Sequence, residues 1–336
     1  MSRHAYVERT TRRVVDEQLF GDRVVRFLYS RARESAPVLF RALTSRRVSW
    51  LLGAVQFDLP LAPRLLGSRG FLRSVGVDLS ECAEPPDFFD TPRKIFERRI
   101  RYWDSRPMST DAGHVAAPAD ARVIVGSLAS ESHVFLKGKF FDLDELLGAG
   151  SPWPDVFRHG DFAVFRLTPD KYHYNHTPVA GRVVDLYEVA GTYHSCHPAA
   201  VVEMVTPYSK NKRVVTVFDT DVEGGTGVGR LAMIEVAALM IGEVRQCYSA
   251  ERYDDPAPIA VGDFLDKGLP KSLYRPGSST DVLLFEPGRV RFADDLLRNL
   301  NRTDVASHFS LAFARPLVET DVPVRSTIAT RITNDA

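Results

Sequence analysis

Ser279 stands in a knot of turn-forming residues, Arg275-Pro276-Gly277-Ser278-Ser279-Thr280, just ahead of the apolar run Val282-Leu283-Leu284-Phe285. A serine hydroxyl is a weak nucleophile until a neighbouring base takes its proton. The stretch Tyr172-His173-Tyr174-Asn175-His176-Thr177-Pro178 offers two such bases three residues apart, and imidazole is the side chain that exchanges protons near neutral pH. Asp120, in Pro118-Ala119-Asp120-Ala121, adds a carboxylate of the kind that orients a histidine. Serine, histidine and aspartate are together the residue types of a nucleophile–base–orienter set. Each also has an ordinary reading: a loop feeding a buried strand, packed histidines, an aspartate in a turn. Spacing alone does not bring the three together. A metal site is not expected, because neither the histidine pair nor His194-Ser195-Cys196-His197 is followed by a carboxylate at metal-motif spacing.

Composition narrows the class. The chain has 336 residues, zero formal net charge and three cysteines, Cys82, Cys196 and Cys247, with no C-x-x-C spacing. A neutral balance argues against a nucleic-acid partner held by bulk electrostatics. Scattered cysteines argue for a reducing compartment, hence a cytoplasmic location. No signal peptide or spanning apolar run is visible. The charge is uneven, however. Residues 1–76 carry fourteen arginines against six acidic residues and no lysine.

The elements that must position these groups read as an α+β protein. Residues 15–76 are predicted helical, with apolar residues and arginines alternating at helical spacing. They form a bundle on the main domain, a surface suited to an anionic membrane, or both at once. Ala83-Glu84-Pro85-Pro86 marks a linker, which divides the chain into a basic helical region (1–83) and a catalytic domain (84–336). Thr91 and Pro92 predict the start of a helix running to Arg106. Beyond Val115, β-branched runs predict a mainly antiparallel sheet, with strands over Arg122–Gly126, His133–Leu136, Phe162–Leu167, Gly181–Val189, Ala200–Val205, Val214–Asp219, Leu231–Met240 and Val282–Phe285. Phe309–Phe313 also reads as strand-like. Asp142 predicts a cap for a short helix to Leu147. Gly224–Gly229 lacks the Lys-Ser/Thr ending of a phosphate loop and predicts a hairpin connection.

The ordered series of motifs resembles the phosphatidylserine decarboxylase family of pyruvoyl enzymes, from Leu19-Phe20-Gly21 to about Phe292. Pro118-Ala119-Asp120-Ala121 stands where that family has Pro-Val-Asp-Gly. Phe135-Leu136-Lys137-Gly138 with Leu146-Leu147-Gly148 is similar to its Val-Lys-Gly and Leu-Leu-Gly segment. Leu167 to Gly181 resembles its Asp-Tyr-His-Arg-x-His-x-Pro-Val motif, with Lys171 in place of Asp and Tyr174 in place of Arg. Asn211-Lys212-Arg213, Lys267-Gly268 and Ser279-Thr280 with Leu284-Phe285-Glu286 complete the series.

The resemblance implies a proenzyme that cuts itself between Ser278 and Ser279, where the family usually has Gly before the serine. Ser279 would become a covalent pyruvoyl group, whose ketone forms a Schiff base with the substrate amine and takes up electrons as CO2 leaves. By the same resemblance His176 activates Ser279, Asp120 orients His176, and His173 serves decarboxylation. The implied substrate is phosphatidylserine, converted to phosphatidylethanolamine by a peripheral membrane enzyme whose two pieces stay associated, with a homodimer possible. Two alternatives remain: a pyruvoyl decarboxylase of a soluble amino acid, and an unprocessed lipid- or partner-binding member.

Overall fold

The computed structural model describes residues 4–17, 77–129, 141–195, 197–203, 207–238, 243–276 and 279–333. The predicted helical region lies almost wholly outside them, as do the His133–Leu136 run and Ser278. The strands are β1 (Ala5–Glu8), β2 (Val14–Asp16), β3 (His114–Ala116), β4 (Ala121–Ser127), β5 (Asp161–Leu167), β6 (Tyr174–His176), β7 (Gly181–Val189) and β8 (Arg213–Asp219). They continue with β9 (Arg230–Ala237), β10 (Val244–Gln246), β11 (Phe264–Leu265), β12 (Pro270–Tyr274), β13 (Ser279–Phe285), β14 (Val290–Phe292), β15 (Thr320–Val322) and β16 (Thr327–Arg331).

Ten strands form one sheet in the order β11-β7-β8-β9-β13-β5-β4-β15-β1-β2, antiparallel except where β1 runs parallel to β15. Two three-stranded sheets, β10-β12-β6 and β14-β16-β3, accompany it. The strand that begins with Ser279 is interior to the large sheet, paired along its whole length with β5 and β9. Both of its faces are covered. Leu283 and Phe285 pack with Phe165, Met233, Tyr274 and Val244 on one side. Val282 and Leu284 pack with Ile234, Phe141, Phe309 and Phe313 on the other. Burial on both faces is why Val282–Phe285 is a continuous apolar run rather than an alternating one.

Side-chain alternation then divides the head of β13. Ser279 and Asp281 share the face of Leu283, which the β10-β12-β6 sheet covers. Thr280 lies on the opposite face, directly across from Arg166 on β5, which in turn faces Arg122 on β4. Arg166 is buried and forks onto two carboxylates. Its Nη1 and Nη2 donate to Glu17 at 2.9 and 2.7 Å, and its Nε and Nη2 donate to Glu319 at 2.9 and 2.6 Å. Arg122 also pairs with Glu17. His4 Nδ1 accepts the His308 backbone N–H at 3.1 Å, so Nε2 carries the ring proton toward Glu319, 2.9 Å away. His4, Glu17 and Glu319 lie close enough to suggest a metal cluster, but the arginines already occupy the carboxylate oxygens. This cluster ties the residues flanking β1, β2 and β15 to β4 and β5.

Burial opposes ionisation of Glu319, yet Arg166 and His4 outweigh it and lower its pKa to about 2. A carboxylate depressed in the fold adds stability that is full above its unfolded pKa of about 4.5 and is lost as pH falls toward 2. Glu319→Gln removes one partner of a buried charge pair and is expected to cost about 3–5 kcal/mol at neutral pH. Thermal melting between pH 7 and 3 should show the variant less stable at pH 7 and the two proteins converging at low pH. A constant difference would refute the assignment.

Several predicted elements hold. Gly181–Val189 is a strand at those bounds. Asp142 caps the Leu143–Leu147 helix by accepting from the Glu145 N–H. Gly224–Gly229 lies in the hairpin joining β8 to β9. Others are corrected. The helix begun by Thr91 and Pro92 ends at Phe96, and a separate short helix spans Tyr102–Ser105. Between them Ile100 bridges to Cys82, which pulls the chain out of helical geometry. Residues 14–16 form a strand, because they pair in a hairpin with β1. The predicted strand Ala200–Val205 is instead a helix over Pro198–Glu203, and Phe309–Phe313 lies in a helix capped by Ser307.

Candidate active site

β6 follows His173 and ends in His176, and β12 ends at Tyr274, whose hydroxyl reaches the head of β13. Among the described residues no hydrogen bond joins Ser279 to either imidazole. β12 pairs antiparallel with β6. The Tyr274 backbone N–H donates to the His173 carbonyl at 3.1 Å, while the Tyr274 hydroxyl lies 3.0 Å from the Thr280 carbonyl. His173, His176 and Ser279 are all fully buried. The Ser279 hydroxyl makes no hydrogen bond among the described residues. A buried hydroxyl without a partner is costly, so such groups are rare unless the site uses them.

His176 is fixed at both ring nitrogens. Nδ1 lies 2.9 Å from the Gly268 carbonyl, which can only accept, so Nδ1 bears the proton. Nε2 therefore presents a lone pair and accepts from the Tyr172 hydroxyl at 2.9 Å. Tyr172 in turn meets the Tyr253 hydroxyl at 2.7 Å. Burial lowers the His176 pKa to about 3, against the opposing pull of the Gly268 bond, so the ring is a neutral base at physiological pH. Gly268 has φ +78°, and a Cβ there would come within 2.2 Å of Met108 Sδ. Glycine is thus required where the carbonyl turns toward His176.

His173 is held differently. Phe96 stacks on it with centroids 3.6 Å apart, and neither ring nitrogen makes a hydrogen bond among the described residues. Burial, reinforced by Arg98, pushes its pKa well below the usual value.

Asp120 lies beside these rings but bonds elsewhere. Its carboxylate accepts from Arg106 Nε at 2.9 Å and Nη2 at 2.8 Å, and from the Val324 N–H at 2.7 Å. Burial alone would raise its pKa, but Arg106 overrides this and keeps it ionised. The loop still touches the base through its backbone, since the His176 N–H donates to the Pro118 carbonyl at 2.7 Å. The direct orienter of the His176 ring is therefore Gly268, with Asp120 acting by charge at longer range. Lys171 is tied to Asp321 at 2.6 Å, and Tyr174 stacks on Tyr172 with centroids 5.5 Å apart.

Sequence reasoning missed a buried polar network beneath Ser279. Glu235 faces Asp281 across the β9–β13 pair. Glu235 accepts from Lys271 Nζ at 2.7 Å, from Asn175 Nδ2 at 3.1 Å, from Gln246 Nε2 at 2.9 Å and from the Ser272 hydroxyl. Lys271, between Pro270 and Ser272 on a short strand, gave no hint that its ammonium would be fully buried.

A mainly antiparallel α+β fold with two neutral imidazoles and an unpaired serine hydroxyl in its interior defines an enzyme suited to acid–base and nucleophilic chemistry. Comparison with known proteins is specific. The family model for phosphatidylserine decarboxylase matches residues 93–309, more than half the chain. A phosphatidylserine decarboxylase proenzyme of Bordetella petrii is 33% identical over 261 residues, covering 74% of this chain and 87% of the relative. One from Chlamydia pneumoniae is 28% identical over 303 residues, covering 89% and 92%. The chain belongs to the phosphatidylserine decarboxylase family, and its reaction class is that of a carboxy-lyase. No helix among the described residues is long and apolar enough to cross a membrane.

Proposed function

We propose that the chain is a self-processing decarboxylase in which Ser279 is both the nucleophile of its own cleavage and the precursor of a pyruvoyl group. The observation that supports this most is the fully buried, unpaired Ser279 hydroxyl at the head of an interior strand. Ser279 Oγ adds to the Ser278 carbonyl carbon while His176 Nε2, giving up the Tyr172 hydroxyl that it accepts at 2.9 Å in the uncut chain, takes the serine proton. The C–N bond breaks, that proton passes to the released nitrogen, and an ester joins the two pieces. Loss of the Cα proton of residue 279 then expels the Ser278 carboxylate and leaves dehydroalanine. Water hydrolyses this to the ketone with release of ammonia. When formed, the ketone supplies the electron sink for loss of CO2 from an amine-bearing substrate. Asp120, ionised by Arg106, favours transient positive charge on His176. His173, neutral and packed under Phe96, is the group proposed to manage the proton that replaces CO2.

Family membership favours phosphatidylserine as the substrate and phosphatidylethanolamine as the product. The basic region before residue 77 fits a peripheral role, because each arginine near an anionic bilayer adds about 1 kcal/mol of attraction. Co-sedimentation with phosphatidylglycerol vesicles should be strong at low salt and weaken as salt screens charges beyond about 10 Å. Protein left in the supernatant at low salt would remove the membrane role. CO2 release measured across phosphatidylserine and the free amino acids tests the substrate. Release from a free amino acid alone would replace the lipid, and no release from a cut chain would overturn the decarboxylase reading.

A further inference from the structure

The cut proposed above turns residue 279 into a chain end in the middle of a sheet. Chain ends fray unless tied down, and a ketone there must hold its position to react. Tyr274 and Asp281 provide a tie that crosses the cut. Tyr274 stays with the large piece, where its backbone N–H is bonded to the His173 carbonyl. Thr280 and Asp281 go with the small piece. The Tyr274 hydroxyl lies 2.6 Å from Asp281 Oδ1 and 3.0 Å from the Thr280 carbonyl. All three residues are fully buried.

The charge arrangement decides which way these bonds run. Lys271 neutralises Glu235, its partner at 2.7 Å. Asp281 faces Glu235 across the strand pair and has no cation of its own among the described residues. Two buried acids therefore share one buried base. Burial and the Glu235 charge raise the Asp281 pKa well above the usual range. A protonated Asp281 can donate to the Tyr274 oxygen, which frees the Tyr274 proton for the Thr280 carbonyl. The donors then run in one direction, from Asp281 through Tyr274 to the backbone beside residue 279.

Resting on the processing reaction proposed above, we propose that Tyr274 and Asp281 form a positioning clamp that holds the new chain end at residue 279 in register with His173. Tyr274→Phe removes only the hydroxyl, and Asp281→Val removes the donor. Both should still cut, as judged by intact mass. In the cut protein, amides of residues 280–282 should exchange hydrogen about tenfold faster, on the scale of one lost buried hydrogen bond. Turnover should fall about tenfold, with KM changed less than about twofold. Asp281→Asn keeps a neutral N–H donor facing Tyr274 and should recover most of what Asp281→Val loses. Cut Y274F and D281V proteins with wild-type exchange and turnover would overturn the clamp alone. A folded but uncut Y274F would also overturn it, because Tyr274 would then act before the cut. A wild-type chain that stays whole would remove the processing reaction and the clamp with it.

Discussion

Ser279→Ala is expected to leave one uncut chain where the wild type gives two pieces, the smaller being residues 279–336 with a blocked first residue. The loss should be complete rather than partial. Without Oγ nothing can add to the Ser278 carbonyl, and the adjacent hydroxyl cannot substitute. Thr280 lies on the other face of β13, directly across from Arg166. The same change should not weaken the uncut protein. The Ser279 hydroxyl is buried without a hydrogen bond among the described residues, and its cross-strand neighbours are Leu167 and Ala237. Removing an unsatisfied buried hydroxyl relieves a cost of about 1–3 kcal/mol against the loss of a few van der Waals contacts. The alanine chain should therefore melt at or above the temperature of the wild-type chain assayed before it has cut. Intact mass and thermal melting check both halves. A cut Ser279→Ala chain would sink the nucleophile assignment, and a large loss of stability would mean the hydroxyl has a structural partner.

What could be read without coordinates follows a physical divide. The β13 run was legible because a strand buried on both faces must be apolar throughout, and Gly181–Val189 because both its bounds and its pattern are local. The Asp142 and Thr91 caps were legible because capping acts within three residues. Where a distant partner decides, the sequence misled. Val201 and Val202 read as strand by β-branching, yet Val201 is buried in the core beside Phe309 and Phe313, and packing overrides propensity there. The helix from Thr91 stops early because Ile100 finds Cys82, which no periodicity reveals.

The site divides the same way. Tyr172, four residues from His176, lay inside the recognised motif, and so did Gly268 in the Lys267-Gly268 pair. The Arg106 bond to Asp120 and the opposition of Asp281 to Glu235 depend on tertiary pairing. They could not be read from spacing.

The histidines should separate by step. His176→Ala is expected to slow cutting by about 10²–10⁴-fold, the usual worth of a positioned general base. Nε2 is the atom proposed to receive the serine proton once it exchanges the Tyr172 hydroxyl for that of Ser279, and Gly268 fixes the tautomer that keeps its lone pair available. His173→Ala should cut at close to the wild-type rate and then release CO2 poorly, since its ring is held by Phe96 rather than by the groups that orient His176. The pH dependence sharpens the distinction. A histidine with its pKa lowered to about 3 is already neutral at pH 5, so the cutting rate should stay flat from pH 8 to 5 while the fold persists. Stability sets the lower limit. A histidine depressed in the fold adds stability that is full above its unfolded pKa of 6.5 and is lost as pH falls toward 3. Cutting should thus end when the protein unfolds in acid, not when the base protonates, and melting curves at each pH separate the two. A cutting rate that halves near pH 6.5 in folded protein would assign the base elsewhere. A His173→Ala protein that is cut and fully active would show that the proton replacing CO2 comes from another group.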